Sequence, residues 1–322
     1  MHNSPSPQDN SPSREVANRS REVADVPPTH AGEGAVAPSF VLVGPGKVGL
    51  SLGRALVELG ARCLRVGARQ GPTAERRQGL GEASWESLGE LRSDDADLLL
   101  ITVSDPALDG VAEDLARRPQ APVALHVAGR FDAAKLLPLR QEGCSVGSLH
   151  PLRAFPRILR SDELAGTWYA VDGDPPALDL ATRLATALGG RSAEVQGAAR
   201  AVYHLAATLA AGGVVTLLAA VEELTEQAGL PDEMLDGYLE LTRGALSPLF
   251  EGKRPAASQI TGPAARNDRR ALEDQRAALA AVAPHLLPLV TALQRETLRC
   301  RGHLEDGEQG HAGWDEFAQP SE

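Results

Sequence analysis

Residues 39–53, SFVLVGPGKVGLSLG, constrain the fold of this chain more than any other segment. An apolar run stops at Gly44-x-Gly46-x-x-Gly49, and apolar residues then recur at helical spacing. This order of strand, glycine turn and helix is the context in which the motif indicates a dinucleotide site, although a glycine-rich turn of another α/β protein is the alternative. Gly44 allows a turn that a side chain would block, Gly46 lets the main chain approach a pyrophosphate, and Gly49 lets the helix lie close to the strand.

The pyrophosphate is expected at the start of the predicted helix, where unpaired N–H groups and the positive end of the helix dipole bind anions. Pro45, Lys47 and Val48 lie between the three glycines and complete the set of candidate cofactor-binding residues in this loop.

Strand-like and helical segments alternate along the chain up to about residue 195, and the rest is helical in character. Alternation of this kind predicts a parallel, doubly wound sheet. The expected fold is α/β, with an N-terminal Rossmann-like sheet followed by an all-α domain. The predicted divisions are a disordered tail (1–38), a nucleotide-binding domain (39–196), an all-helical substrate and dimerisation domain (197–302) and a disordered acidic tail (303–322).

Charge and cysteine content narrow the choice of partners and compartment. The formal net charge of −11 argues against nucleic acid and anionic membranes, whose charge-driven binding needs a basic face. Three widely spaced cysteines suggest neither a disulfide framework nor a zinc site, and they fit a reducing cytoplasm. The polar first 38 residues lack the apolar block of a secretory signal.

Residues 205–221 carry no charge and are about as long as the shortest membrane-spanning helices. Ala, Gly and Thr dominate the segment, rather than Leu and Ile. We therefore expect a helix that is buried inside the domain or in a dimer, and no membrane span.

The position that selects the cofactor favours NADP(H) over NAD(H). NAD-preferring Rossmann domains place an acid at the end of the second strand, about 20 residues beyond the glycines. Here Arg69 lies 20 positions after Gly49, and no acid is nearby. A guanidinium pairs well with a 2′-phosphate, and Arg76 and Arg77 are candidates to assist it. The alternative is a solvated surface arginine.

Polar residues follow several predicted strands, at the edge where open α/β sheets bind ligands. Ser104 follows one buried strand and is expected near the nicotinamide. Asp105, followed by a proline, is expected to be a helix N-cap. His126 ends the next strand, and Ser148 and His150 end the one after.

Histidine suits proton transfer near neutral pH, which reduction of a C=O or C=N group requires. His150 is the first choice for this catalytic role and His204, in the uncharged helix, is the second. His126, Ser148 and Arg266 are the candidate substrate-binding residues, Arg266 because a guanidinium can clamp a carboxylate. A hydrogen-bonded structural histidine or a surface arginine is the alternative in each case. No carboxylate or cysteine with ligand spacing supports a metal site.

Five motifs occur in order along most of residues 39–301 and together carry a family resemblance. They are Gly44-x-Gly46-x-Val48-Gly49, Ile101-Thr102-Val103-Ser104-Asp105, Gly147-Ser148-Leu149-His150-Pro151-Leu152-x-x-Phe155, Tyr203-His204-x-Ala206 and Thr261-Gly262-Pro263-x-x-Arg266-x-Asp268. With them the chain resembles bacterial proteins that join a Rossmann-like domain to a domain of unknown function, in the 6-phosphogluconate dehydrogenase-like superfamily.

The resemblance implies an NADP-type cofactor, a second domain like the all-α C-terminal domain of 6-phosphogluconate dehydrogenase, and a homodimer built through that domain. Deazaflavin-dependent NADP reductases, pyrroline-carboxylate reductases and ketopantoate reductases are more distant relatives with this architecture. Prephenate dehydrogenases carry a similar His-Pro step with a functional histidine, to which His150 would correspond.

The chain departs from that family at three places. Val127-Ala128-Gly129 stands where a Ser-Gly pair is usual, Gly212 where an Asn is common, and Asn267 where a Gly is usual. The expected activity is hydride transfer between nicotinamide and a small, anionic carbonyl, imine or hydroxyl substrate. Because polar groups are missing, a non-catalytic NADP(H)-binding sensor or interaction protein is the alternative.

Overall fold

The structure is a computed structural model that describes residues 37–252 and 255–304. The predicted tails fall almost wholly outside the described residues. The strands are β1 (Ser39–Val43), β2 (Arg62–Ala68), β3 (Ser84–Ser87), β4 (Leu98–Ile101), β5 (Val123–His126), β6 (Ser145–Leu152), β7 (Trp168–Gly173) and β8 (Arg191–Glu194).

The α-helices are α1 (Lys47–Glu58), α2 (Ala74–Arg77), α3 (Leu108–Ala116), α4 (Leu137–Gln141), α5 (Pro175–Ala187), α6 (Ala198–Thr208), α7 (Val214–Gln227), α8 (Met234–Phe250), α9 (Ala256–Gln259), α10 (Arg269–Val282) and α11 (Leu287–Cys300). Short 3-10 turns lie at Asp105–Ala107, Ala133–Leu136, Ser161–Leu164, Ala264–Arg266 and Pro284–Leu286, and a π-helical segment at Leu209–Gly213.

The strands form one sheet in the order β3-β2-β1-β4-β5-β6-β7-β8. The pairs from β3 across to β6 are parallel. At the β6–β7 pair, Asp174 N–H donates to the carbonyl of Val146 (3.0 Å) while Ser148 bonds to Asp172, which is the pattern of antiparallel neighbours. In the sheet, β1 lies between β2 on one side and β4 on the other, so the order of the strands reverses at β1. Such a switch point opens a crevice at the carboxyl ends of the strands.

Continuous apolar runs build the centre of this sheet. β1 and β4 are buried along their whole length, as expected for parallel strands with helices on both faces. Helix α1 packs Leu52 and Leu56 against this core. The α/β class, the Rossmann-like sheet and the following helical domain are confirmed.

Most predicted elements lie within a few residues of their observed bounds, and α10 covers the predicted residues 269–282. β3 was not predicted, because its sequence, Ser-Trp-Glu-Ser, has no apolar run. Asp105 is not the N-cap that we predicted. Ser104 holds the cap position, Asp105 is the first residue of the 3-10 turn, and no side chain caps it.

The chain divides into two compact units. Among the described residues, the first contains 37–127, 133–150 and 155–193, and the second contains 128–132, 151–154, 194–252 and 255–304. The sheet belongs to the first unit and helices α6–α11 to the second. The main break, at 193/194, lies close to the boundary expected near 197.

The helix at 198–227, which contains the uncharged segment 205–221, exposes an apolar surface. It is the one helix among the described residues with the length and composition of a membrane span, and none of its most apolar 18-residue window is buried. Leu209 and Val215 are 62% and 66% exposed. The prediction was a helix buried inside the domain or in a dimer. The described residues do not bury this helix, so burial inside the domain is not observed, and burial in a dimer stays a prediction.

Candidate nucleotide-binding site

Two glycines of the turn after β1 are required by the fold itself. Gly44 has φ +87°, and a Cβ there would lie 2.8 Å from the side chain of Val103 and 2.9 Å from its backbone nitrogen. A Cβ on Gly49 would collide with the Thr102 hydroxyl, since α1 passes directly against the end of β4. Side chains are excluded at both positions by backbone conformation or by packing.

Gly46 is different, because neither its conformation nor its surroundings require a glycine. Its φ of −82° and ψ of −170° are open to any residue, and a Cβ there would meet nothing within 4 Å. Its N–H donates to the carbonyl of Gly44 (2.8 Å), so it is not available to a ligand. The protein leaves open space in front of this residue, as a bound pyrophosphate requires.

Helix α1 begins directly behind this space, at Lys47. The first N–H groups of a helix have no partner within the helix. Gly46, at the cap position, has no side chain to satisfy them, and the first turn carries no acidic residue. A helix start of this kind, here with the N–H groups of Lys47, Val48 and Gly49, has the features that favour anions.

The glycine turn borders a cavity of about 340 Å³ within the first unit. The cavity brings three separate predicted elements together: the turn itself, Arg69 after β2, and Ser104 after β4. Its lining residues are Gly44, Pro45, Gly46, Gly67, Ala68, Arg69, Gln70, Arg76, Leu88, Thr102, Val103, Ser104, Ala107 and Val111. None of these is acidic, in agreement with the sequence after β2.

The structure distinguishes Arg76 from Arg77, which the sequence predicts equally as residues that assist Arg69. Arg76 lines the cavity together with Arg69. Arg77 instead lies over the ring of Trp85, 6.0 Å from its centroid, and does not line the cavity. Thr73 caps the intervening short helix α2 by accepting from Arg76 N–H at 3.3 Å, which sets the direction of this turn.

A buried polar row follows the ends of β5, β6 and β7. His126 and Ser148 are register partners and fully buried, and the half-buried His150 lies two residues further along the same face of β6. The Ser148 hydroxyl donates to the carboxylate of Asp172, which also accepts from Ala133 N–H at 2.9 Å. Sequence reasoning missed Asp172, although a lone carboxylate after the apolar run Tyr-Ala-Val is a usable signal.

His204 and Arg266 lie in the second unit. One turn before His204 on α6, the buried guanidinium of Arg200 donates to the carbonyls of Gly129 and Val195 at 3.1 Å. Burial raises the pKa of the adjacent Tyr203 to about 12, so its phenol stays protonated at neutral pH. Sequence reasoning did not single out Arg200, because nothing in the chain marks an arginine as buried.

The turn that carries Arg266 explains one departure from the related family. Arg266 is exposed and ends a 3-10 turn, and Asn267 follows with φ +54°, a left-handed conformation that glycine adopts most easily and asparagine next. Asp268 then caps α10 by accepting from Ala271 N–H at 3.2 Å, as predicted. Asparagine therefore substitutes for the usual glycine without changing the backbone.

A second cavity, of about 430 Å³, lies at the opposite, amino edge of the sheet. None of the predicted site residues lines it. Burial raises the pKa of its Cys144 thiol to about 12, and the Sγ atom lies 3.1 Å from the carbonyl of Ala121, so this cysteine is not a nucleophile. Within residues 37–252 and 255–304, no group of three or more His, Cys, Asp or Glu is placed to hold a metal ion.

Two family models match this chain in sequence. A Rossmann-like domain covers residues 26–151, and a domain of unknown function, DUF2520, covers residues 167–297. No curated protein matches the chain.

Solved structures share the fold at low sequence identity. A candidate NADP oxidoreductase from Bacteroides fragilis has a TM-score of 0.68 and 21% identity, covering 81% of this chain and 98% of its own. A protein from Thermotoga maritima has a TM-score of 0.62 and 19% identity, covering 82% and 98%. The pyrroline carboxylate reductase of Plasmodium falciparum, solved with NADP bound, has a TM-score of 0.55 and 11% identity, covering 83% and 100%.

Proposed function

We propose that this chain, whose sequence matches a Rossmann-like domain followed by DUF2520, is an NADP-dependent oxidoreductase. It transfers a hydride between nicotinamide and a small, anionic substrate with a carbonyl, imine or hydroxyl carbon. The observation that carries the proposal is Gly46, a glycine that neither its backbone conformation nor its neighbours require and that faces open space at the start of α1.

Different groups of this chain bind the different parts of the dinucleotide. The N–H groups that open α1 hold the diphosphate, and Ser104 borders the nicotinamide end. Arg69 and Arg76 line the same cavity and bind the 2′-phosphate, the group that distinguishes NADP from NAD. When bound, the nicotinamide supplies or accepts the hydride.

His150 is the proposed proton donor or acceptor, since it is half-buried near the end of β6 and histidine is the side-chain type best suited to proton transfer near neutral pH. His204 is the second candidate. The buried His126 and Ser148 form the floor beneath His150, with the Ser148 hydroxyl held by Asp172. Arg266, which is exposed, provides the positive charge for an anionic substrate.

We also propose that two copies of the chain pair through the apolar helix at 198–227. Val202, Leu205 and Leu209 recur at helical spacing on one exposed stripe. A second copy covers such a stripe without any basic surface, whereas an anionic membrane would meet a chain of net charge −11. A cytoplasmic location fits the described cysteines, all of them free thiols.

Titration of the purified chain with NADPH and NADH, followed by calorimetry and by nicotinamide fluorescence, tests the cofactor assignment. We expect NADPH to bind in the micromolar range or tighter and to raise the unfolding temperature. Absence of heat and of thermal protection with both nucleotides would overturn the proposal. A screen of keto acids, cyclic imines and deazaflavins for loss of nicotinamide absorbance then separates the enzyme from a sensor, which binds but does not turn over.

His150→Asn tests the proton-transfer role. The smaller amide keeps a hydrogen-bonding group near the position of Nδ1 but cannot exchange a proton near pH 7. We expect turnover of any substrate found in the screen to fall about 10²- to 10⁴-fold, while the Kd for NADPH stays unchanged. Unchanged turnover would remove His150 from the mechanism and direct attention to His204.

A further inference from the structure

We infer that Thr102 is a positioning residue for the dinucleotide site, through a hydroxyl that orients the carbonyl of Gly44 away from the bound diphosphate. The inference rests on the proposed cofactor site. Thr102 is 8% exposed, follows directly after β4, and lies where the glycine turn meets the cavity that it borders.

The hydrogen bonds of this corner identify the acceptor of the hydroxyl. Thr102 Oγ1 lies 2.6 Å from the carbonyl oxygen of Gly44 and 3.0 Å from that of Val43. A hydroxyl has one hydrogen to donate, and the Gly44 oxygen is the nearer of the two acceptors, so we assign this hydrogen to Gly44. The Gly44 carbonyl also accepts from Gly46 N–H at 2.8 Å, and both of its lone pairs are therefore occupied inside the protein.

The direction of one carbonyl matters here because the ligand is an anion. Gly44 has φ +87°, a conformation that glycine adopts more easily than other residues. The peptide plane that follows a glycine can also rotate most easily. A carbonyl turned toward the cavity would place negative partial charge beside the diphosphate. With the carbonyl held inward, the first N–H groups of α1 are left as the groups facing the ligand.

Gly49 makes room for this arrangement. Its missing Cβ leaves the space that the Thr102 hydroxyl occupies, so the third glycine of the motif and the threonine form a matched pair. The side chain of Thr102 thus links the end of β4 to both ends of the glycine turn.

The variants Thr102→Ala and Thr102→Ser test the inference, because their new side chains differ from each other only by the hydroxyl group. We expect Thr102→Ala to weaken NADPH and ADP-ribose about tenfold, the effect of one well-aligned buried hydrogen bond, and Thr102→Ser to stay within about twofold of the parent chain. Adenosine 2′-monophosphate lacks the diphosphate and contacts only the arginine side, so its affinity should be the same in all three proteins.

Thr225→Ala is the matched control for stability. Thr225 is a buried threonine of α7 whose hydroxyl donates to the Val221 carbonyl at 2.8 Å, in the second unit. We expect it to lower the unfolding temperature about as much as Thr102→Ala does, with no change in NADPH affinity. If Thr102→Ala binds NADPH like the parent chain, or if it weakens adenosine 2′-monophosphate equally, the positioning role is refuted. A parent chain that binds no nucleotide would instead refute the cofactor site itself.

Discussion

The glycine turn after β1 and the apolar helix at 198–227 are both built from small and apolar residues, yet they differ in what completes them. In the turn, Gly44 and Gly49 are explained by contacts within the chain, and Gly46 alone faces open space. In the helix, a whole stripe, including Leu209 and Val215, faces outward. The open space at Gly46 is one residue wide and suits a small ligand. The exposed apolar stripe of the helix extends over several turns and suits the surface of another protein.

The largest effect is expected from a charge placed on the apolar helix. Leu209→Asp puts an unpaired carboxylate into the proposed dimer interface, which costs about 3–5 kcal/mol and should shift the dimer to monomer at micromolar concentration. Sedimentation equilibrium measures the shift. Gln227→Asp, at an exposed position where the same helix ends, should leave the dimer intact. A parent chain that is monomeric, or that requires detergent, would contradict the proposed pairing.

Substitutions of Gly46 and Gly44 distinguish a glycine that leaves space for a ligand from a glycine that the fold requires. Gly46→Ala should weaken NADPH about 10- to 100-fold, since the new methyl group occupies the space of the diphosphate, while stability stays within about 1 kcal/mol. Gly44→Ala should instead destabilise the domain by about 1–3 kcal/mol, because it strains a positive φ and collides with Val103. Calorimetric titration and urea unfolding of both variants measure the contrast. Equal loss of stability in the two would show that Gly46 is structural.

A smaller effect is expected at the arginines that line the cavity. Arg69→Ala should weaken NADPH about tenfold and NADH hardly at all, because only NADPH carries the 2′-phosphate. Arg76→Ala should act in the same direction but less strongly, since Arg69 remains. Arg77→Ala is the control, as its guanidinium lies on Trp85 and outside the cavity. Equal weakening of both nucleotides by Arg69→Ala would contradict its role in selecting NADP.

Local sequence predicted the elements of the first unit well, and the reason is physical. β1 and β4 are uninterrupted apolar runs, and a strand buried on both faces tolerates little else. The helix α10 begins at an aspartate cap and so could be placed to the residue. β3 and the start of the turn at Asp105 were missed, because short polar segments take their conformation from their neighbours.

The sequence by itself determined the α/β class, the glycine turn, and the approximate places of the histidines and arginines, since these depend on residues close together in the chain. Only the tertiary structure decided that Arg76 rather than Arg77 joins Arg69, that Ser148 bonds to Asp172, and that Thr102 holds the Gly44 carbonyl. The two hydrogen bonds join residues 24 and 58 positions apart, which meet only when the strands align. The arginines lie close together in the chain, but only the folded turn decides which of them faces the cavity. Likewise the sequence predicted that the helix at 198–227 is covered, but only the fold shows that residues 37–252 and 255–304 leave its most apolar window exposed.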